Sequence, residues 1–326
     1  MKRIVALAFV AAASCAAPAY AFDCKRAASA SERAICADPA ALAADADLGK
    51  AFETLRAATD PKLRAGLVGA EVAWLRRRDS DCSDQKGTAL SACLATQSRA
   101  RLAFLNGAPE AGSGSPGRLA PVFRMQKGGK GKTDIDIEIL KFADPSTPAQ
   151  RAFNAAADKL SSDLEEPDKD EQDVATYAFD VSMRLTYASP RLISAHAKEY
   201  SDFGGAHPNF NSANINIDVT LGRAATFDDL LDKPGAQKVF ALCLKQVRDE
   251  RRERGDDEEM AADDLKALTD SVAKASADLG VWSFGADAAT LSYDPYVVGA
   301  YAEGAFDCTI PYATLRPLAK TSFPLP

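Results

Sequence analysis

The chain has 326 residues, 47% of them hydrophobic, with 46 acidic against 39 basic side chains and a net charge of −7. That balance excludes a nucleic-acid footprint, which needs clustered positive charge to meet phosphates. It suits either plain solubility or a basic partner drawn in by opposite charge, and the length leaves room for two domains.

Residues 1–21 read as a signal peptide: Lys2 and Arg3, an apolar run from Ile4 to Ala13, then Ala19-Tyr20-Ala21 as a small-x-small cleavage site. The run is shorter than the roughly 20 apolar residues that span a bilayer, and charges interrupt every later apolar stretch. The mature protein is expected to begin near Phe22, with 37 basic against 46 acidic side chains, and to be soluble in the periplasm or secreted. The competing reading, acylation at Cys15, lacks the usual Leu three residues earlier. Of seven cysteines, Cys15 lies in this leader. The others split into Cys24, Cys36, Cys82 and Cys93, then Cys243 and Cys308. An even set behind an export signal predicts disulfides in two separately stapled units, with no free thiol for catalysis.

Residues 22–105 form the first expected domain. Asp38-Pro39 and Asp60-Pro61 each place a capping carboxylate before a proline at the first helical position. Ala41, Leu48, Phe52 and Leu55 follow the first at helical spacing, and Leu63, Leu67, Ala70 and Trp74 follow the second. Facing stripes predict an antiparallel hairpin in which positions summing to about 119 lie level. That register sets Cys36 beside Cys82 and Asp45 within a turn of Trp74 and Arg78. Cys36–Cys82 is therefore the expected bridge, leaving Cys24–Cys93, although four cysteines allow three pairings. Phe22-Asp23-Cys24, Ser31-Glu32-x-x-Ile35-Cys36-x-Asp38-Pro39, Leu42-x-x-Asp45 and Trp74-x-x-x-Arg78-Asp79-x-x-Cys82 together resemble the LprI-type lysozyme-inhibitor domain, with Phe52 where that family often has Tyr. The resemblance implies an exported helical domain, some of whose members inhibit lysozyme. Trp74, Arg78, Asp79 and Asp45 are assigned a structural role, as a core aromatic with an ion-pair cluster.

Residues 106–132 gather Gly, Ser, Pro and Lys and read as a flexible linker. In residues 133–326, Ile135, Ile137 and Ile139 alternate with acids as a half-buried strand, and Ala149–Leu164 reads as a helix. Strands are expected at Tyr177–Tyr187, Leu192–Tyr200 and Asn214–Val219. Helices are expected at Pro234–Arg252 and Ala261–Ala277 around an acidic loop, and strands return at Val281–Phe284, Ala289–Tyr293 and Phe306–Ile310. Strands in runs with helices between them indicate an α+β fold: the small stapled helical domain, then an antiparallel sheet with helices packed on one face and stapled by Cys243–Cys308.

A second resemblance rests on Tyr200-x-x-Phe203-Gly204-Gly205-Ala206-His207-Pro208-Asn209, Ile217-Asp218-x-x-x-Gly222, Phe227-Asp228-Asp229-Leu230 and Tyr293-x-Pro295-Tyr296-x-x-x-x-Tyr301-x-x-Gly304. This series is similar to the extracytoplasmic domain of the RsiV type, found in lysozyme-sensing anti-sigma factors. Their membrane anchor and sigma-binding segment have no counterpart here, so anti-sigma activity does not carry over.

His207 with Asp228 and Asp229 is the one tempting catalytic set, but zinc spacings, a Gly-x-Ser-x-Gly elbow and a P-loop are all missing. No enzyme activity, cofactor or metal is expected. The function expected is a binder, and inhibitor, of lysozyme or another basic wall-cleaving hydrolase. Gly204, Gly205, His207 and Asn209 form its contact loop, and His207 and Asn209 offer donors to the hydrolase's catalytic carboxylates. The alternatives are a peptidoglycan- or glycan-binding module with Tyr293, Tyr296 and Tyr301 as stacking faces, and a metal-dependent hydrolase centred on His207.

Overall fold

The computed structural model describes residues 23–128, 132–162, 177–255 and 260–326. The expected signal peptide and cleavage site, and most of the acidic loop after Gly255, lie outside the described residues.

The helical region starts with a 3-10 turn at Cys24–Arg26, followed by α1 (Ala30–Ala37), α2 (Pro39–Ala58), α3 (Arg64–Asp81) and α4 (Thr88–Leu105). Ser29 and Glu32 form a capping box at the start of α1. Asp38 both ends α1 and caps α2, accepting from the Ala40 and Ala41 amides. Asp60 accepts from the Lys62 amide in a turn, and α3 begins later than its proline suggested. The expected bridges Cys36–Cys82 and Cys24–Cys93 are not the ones formed; the structure pairs Cys24–Cys36 and Cys82–Cys93. Two breaks explain the correction. The chain turns at Asp38-Pro39, so Cys36 belongs to α1 and not to an extension of α2. Cys82 ends α3, and the turn up to Gly87 folds α4 back so that Cys93 comes 5.9 Å from it, Cα to Cα.

The remainder is built from β1 (Leu119–Gln126), β2 (Asp134–Phe142), α5 (Pro148–Ser162), β3 (Ala178–Ala188), β4 (Leu192–Asp202), β5 (Asn209–Asp218), β6 (Arg223–Ala224) and α6 (Phe227–Leu230). Then come α7 (Lys233–Glu253), α8 (Ala262–Ser276), β7 (Trp282–Phe284), β8 (Ala288–Tyr293), β9 (Phe306–Pro311) and α9 (Tyr312–Leu315). Strands β1 to β6 form a six-stranded sheet in sequence order, and β7 to β9 form a three-stranded one. The pairings between these strands are antiparallel except β2–β3, which α5 connects as a crossover. The class is α+β, a disulfide-bearing helical region followed by an antiparallel-rich sheet with helices.

Alternation decides the layers. Ile135, Ile137, Phe179 and Val181 share one face of the large sheet and join a single buried cluster with Ala149, Phe153 and Ala157 of α5. The opposite face carries α3 and α4 at one end and the three-stranded sheet at the other. Asp136 and Glu138 sit on that second face and are buried, so β2 is covered on both sides and not half-buried as its alternation suggested. Leu48, Phe104 and Leu105 of the helical region belong to the same apolar cluster as the sheet. The two expected units therefore share a core.

The stretch read as a flexible linker is largely tied down. It contains β1, and before it Glu110, Ala111 and Gly114 exchange backbone hydrogen bonds with Leu185 and Ala188. Gly112 has φ +100, and a Cβ there would collide with the Ala188 carbonyl, so this glycine serves close approach and not looseness. On the small sheet, Trp282, Leu291, Tyr293, Phe306 and Cys308 pack beneath α7 and α8, and Cys243–Cys308 pins α7 to β9.

Candidate functional site

Two constellations stand out on the second face of the large sheet. The first is the β4–β5 connection. Asp202 accepts from the Gly204 amide, and Gly204 takes φ +78, which closes the turn. His207 then folds back. Its ring stacks on Tyr301 with centroids 3.6 Å apart, its Nε2 lies 3.0 Å from the Tyr296 hydroxyl, and its Nδ1 lies 3.0 Å from the Pro208 carbonyl. A carbonyl only accepts, so in the neutral ring Nδ1 carries the proton and Nε2 accepts from Tyr296. The Tyr301 hydroxyl donates to the same Pro208 carbonyl at 2.7 Å. Tyr296 holds φ +73, unusual for a residue with a side chain. Asp294 anchors the segment by accepting from the Ser212 amide and hydroxyl, with burial pushing its carboxyl above the ordinary range.

The Gly-Gly-Ala-His-Pro-Asn loop and the late tyrosine motif are thus halves of one contact. His207 is engaged through both ring nitrogens and is no free donor, while Gly204, Gly205 and Asn209 are exposed beside it. Tyr293 does not join: it is buried beneath α8, bonded to Ser276, and its hydroxyl is pushed up to about 12 by burial. The expected trio of stacking tyrosines is therefore corrected to one open ring, Tyr296, 65% exposed. Asp229 caps α6 through Thr226 and forms two bonds with Arg223, which hold its carboxyl well below the ordinary range. No group of three or more His, Cys, Asp or Glu arranged to hold a metal occurs among the described residues.

The second constellation is a groove floored by β3, β4 and the start of β5. One arm, about 930 Å³, runs between Arg184, His196 and Lys198 on the floor and Thr290, Ser292 and Asp307 of the small sheet. The other arm, about 510 Å³, runs under Trp74 and Arg77 past Asp136, Asp180, Tyr200 and Phe210. Arg184, His196, Lys198 and Phe210 belong to both, so the trough is continuous. His196, expected on a strand, is largely buried against Asn214, and burial pushes its ring below the usual imidazole value.

The wall of this groove is a charge network whose Arg101 and Arg77 parts sequence reasoning missed. Arg101, buried on α4, donates to Glu71 of α3 at 2.9 and 3.0 Å and to Glu138 of β2 at 2.5 and 3.1 Å. Burial works against the Arg101 charge, but the two carboxylates outweigh it and hold the guanidinium ionised. Burial pushes Glu138 up even so. Arg77 adds a bond to Asp136 at 2.9 Å. Arg78 bonds Asp45, Asp79 and Ser98, and Trp74 lies 5.4 Å from both the Arg78 and Arg101 guanidiniums. One signal was available for this network: charged residues on the polar face of β2 that match arginines on two amphipathic helices.

Asp180 sits beside this network, and desolvation and then Asp136 push its carboxyl up to about 6, against the lowering influence of Arg77. Between the unfolded value, about 4, and about 6, the folded state therefore binds more protons, so stability falls as pH rises through that window. We expect Asp180→Asn to melt about 2–4 °C higher than wild type at pH 8, allowing for partial exposure. The difference should be about halved at pH 5 and close only near pH 4, the lower end of that window. Thermal melts across that range check this, and a gap independent of pH would contradict it.

These features define a class: a disulfide-stapled α+β protein whose helical region and second sheet wall in a groove across one sheet face. Residues 24–105 match the family model described as "Lysozyme inhibitor LprI", and residues 228–313 match "Protein of unknown function (DUF3298)". Among solved structures, a DUF3298 family member from Bacteroides fragilis is 14% identical with TM-score 0.44, covering 64% of this chain and 95% of that one. A DUF3298 family protein from Pseudomonas aeruginosa is 18% identical with TM-score 0.42, covering 64% of this chain and 98% of that one. No curated protein matches the chain.

Proposed function

We propose that this is an exported, non-enzymatic protein that binds lysozyme or a related basic wall-cleaving hydrolase and blocks its cleft. The observation that carries the reading is the match of residues 24–105 to a lysozyme-inhibitor family. The RsiV-type motif series points the same way, and the net charge of −7 favours encounter with a basic enzyme. The three disulfides suit an oxidising compartment, the periplasm or the exterior.

The contact surface in this reading is the β4–β5 loop. His207 and the two tyrosines stiffen it from behind, so Gly204, Gly205 and Asn209 meet the partner with little ordering cost. The His207 ring is the brace, and Asn209 supplies the donor to a catalytic carboxylate.

The test is co-elution with lysozyme at low salt together with a cell-wall lysis assay. Complex formation and slowed lysis, both weakening as salt rises, are expected. Asn209→Ala should weaken binding about tenfold, the loss typical of a contact residue near the centre of an interface. A protein that neither co-elutes nor slows lysis would refute the reading, and retention on insoluble peptidoglycan instead would favour a glycan binder.

A further inference from the structure

Arg184, His196 and Asn214 are paired in one row across β3, β4 and β5. The next row holds Lys198 and Ser212, and the one after it Tyr200 and Phe210. Paired positions share a face, and four residues of β4 set the first row about 13 Å from the third. The floor of the trough is thus a strip of hydrogen-bonding groups that ends on two rings with centroids 5.2 Å apart.

His196 is 7% exposed, and its Nδ1 lies 2.9 Å from Asn214 Oδ1. The Asn214 amide cannot be turned round, because its Nδ2 donates to the Gly280 carbonyl at 2.8 Å. Oδ1 therefore accepts from His196, which fixes the proton on Nδ1 and leaves Nε2 as an acceptor. Burial pushes the ring below the usual imidazole value, so this neutral form prevails at pH 7. Nε2 has no partner among the described residues, and the side chain lines both arms of the trough. An acceptor so buried and open only to the groove calls for a donor from a ligand.

The charge pattern narrows the ligand. Along the narrower arm five cations meet five carboxylates, so neither sign is in excess. In the wider arm Glu110 lies against Arg184, and Ser212 takes up Asp294. That balance suits a neutral molecule rich in hydroxyls. Arg184 and Lys198 flank His196 as donors, and Thr290 and Ser292 on the opposite wall can donate or accept. Phe210, 50% exposed where the arms join, adds an apolar face. Sugar rings carry hydroxyls at the rim and C–H bonds over their faces, which suit the negative face of an aromatic ring. The floor is a sheet face and not an edge, so an extended peptide finds no backbone ladder there.

We propose that the trough binds a neutral, linear oligosaccharide, one sugar hydroxyl donating to His196 Nε2 and a ring further along the chain lying on Phe210. The site goes beyond the proposed function and stands without it: the protein holds a glycan in the trough and not through the β4–β5 loop.

The probes are neutral tetrasaccharides of glucose, of mannose and of N-acetylglucosamine, titrated by calorimetry into the full mature chain beside anionic tetragalacturonate and an uncharged tetrapeptide. At least one neutral sugar should bind with millimolar or better affinity, and more tightly than the last two. Phe210→Ala, at the exposed rim, should weaken that sugar about tenfold, as expected for a stacked ring. His196→Phe, which keeps a ring and removes the acceptor, should weaken it about fivefold. No binding by any neutral sugar, tighter binding of tetragalacturonate or the peptide, or full affinity in Phe210→Ala would overturn the site.

Discussion

Replacing Arg101 with leucine is expected to cost about 3–5 kcal/mol of stability, because it strands two buried carboxylates without their shared cation. Arg101 is 4% exposed and is the sole described partner of Glu71 and the principal one of Glu138. Its guanidinium also lies 5.2 Å from the Phe104 ring and 5.9 Å from the Phe123 ring, so packing is lost with the charge. For a chain of this size the loss corresponds to a melting temperature lower by about 10 °C. Adding Glu71→Gln and Glu138→Gln to Arg101→Leu should recover more than half, since the penalty lies in uncompensated charge. Acid should narrow the gap as well, because burial already raises Glu138 and the unpaired carboxyl takes its proton readily. Urea denaturation of the wild type and the two variants measures this. A loss below about 1 kcal/mol, or no recovery in the triple variant, would show that the helical region is not clamped through this network.

The second large effect is expected at Cys243–Cys308. A bridge stabilises chiefly by restricting the unfolded chain, and more so the longer the loop it closes. This bridge joins residues 65 apart, whereas Cys24–Cys36 and Cys82–Cys93 span 12 and 11. Cys243→Ala with Cys308→Ala should therefore cost about 4 kcal/mol, against about 3 for either short bridge. Both sulfurs lie fully buried in the core of the small sheet, so a small cavity adds to the loss. Denaturation of the three paired variants ranks them, and the reverse order would mean that native-state packing outweighs chain entropy.

Much of the fold was legible. The period of two in residues 177–187, and the amphipathic helices that became α7 and α8, are local patterns that tertiary structure had no reason to override. The missed parts depend on what lies across from each residue. In β2 the acids alternate with isoleucines as on any half-exposed strand, and nothing nearby in sequence shows that α3 and α4 cover them. Helix α4 has an indistinct apolar stripe because Arg101 sits on its buried side. The disulfide pairing went astray because a helix was extrapolated through the Asp38-Pro39 break. Within the candidate site, the motif loop was visible, and its partner tyrosines had been assigned an open stacking role. Only the fold shows His207 lying on Tyr301. Asp180 carried no signal at all, since its neighbour Asp136 is far away in sequence.

The spacing of the bridges also sets a timetable. Cys24 and Cys36, and then Cys82 and Cys93, sit on adjoining turns and helices, so each pair meets within one small local motif while the chain behind it is still arriving. Cys243 must wait for residue 308, at the far edge of a sheet that needs β7 and β8 in place first. In a chain entering an oxidising compartment from its N-terminus, the helical region is locked early and becomes the surface against which β2 is laid. The last bridge seals the small sheet only at the end. Pulse-oxidation intermediates should accordingly accumulate with the first two bridges closed and the third open.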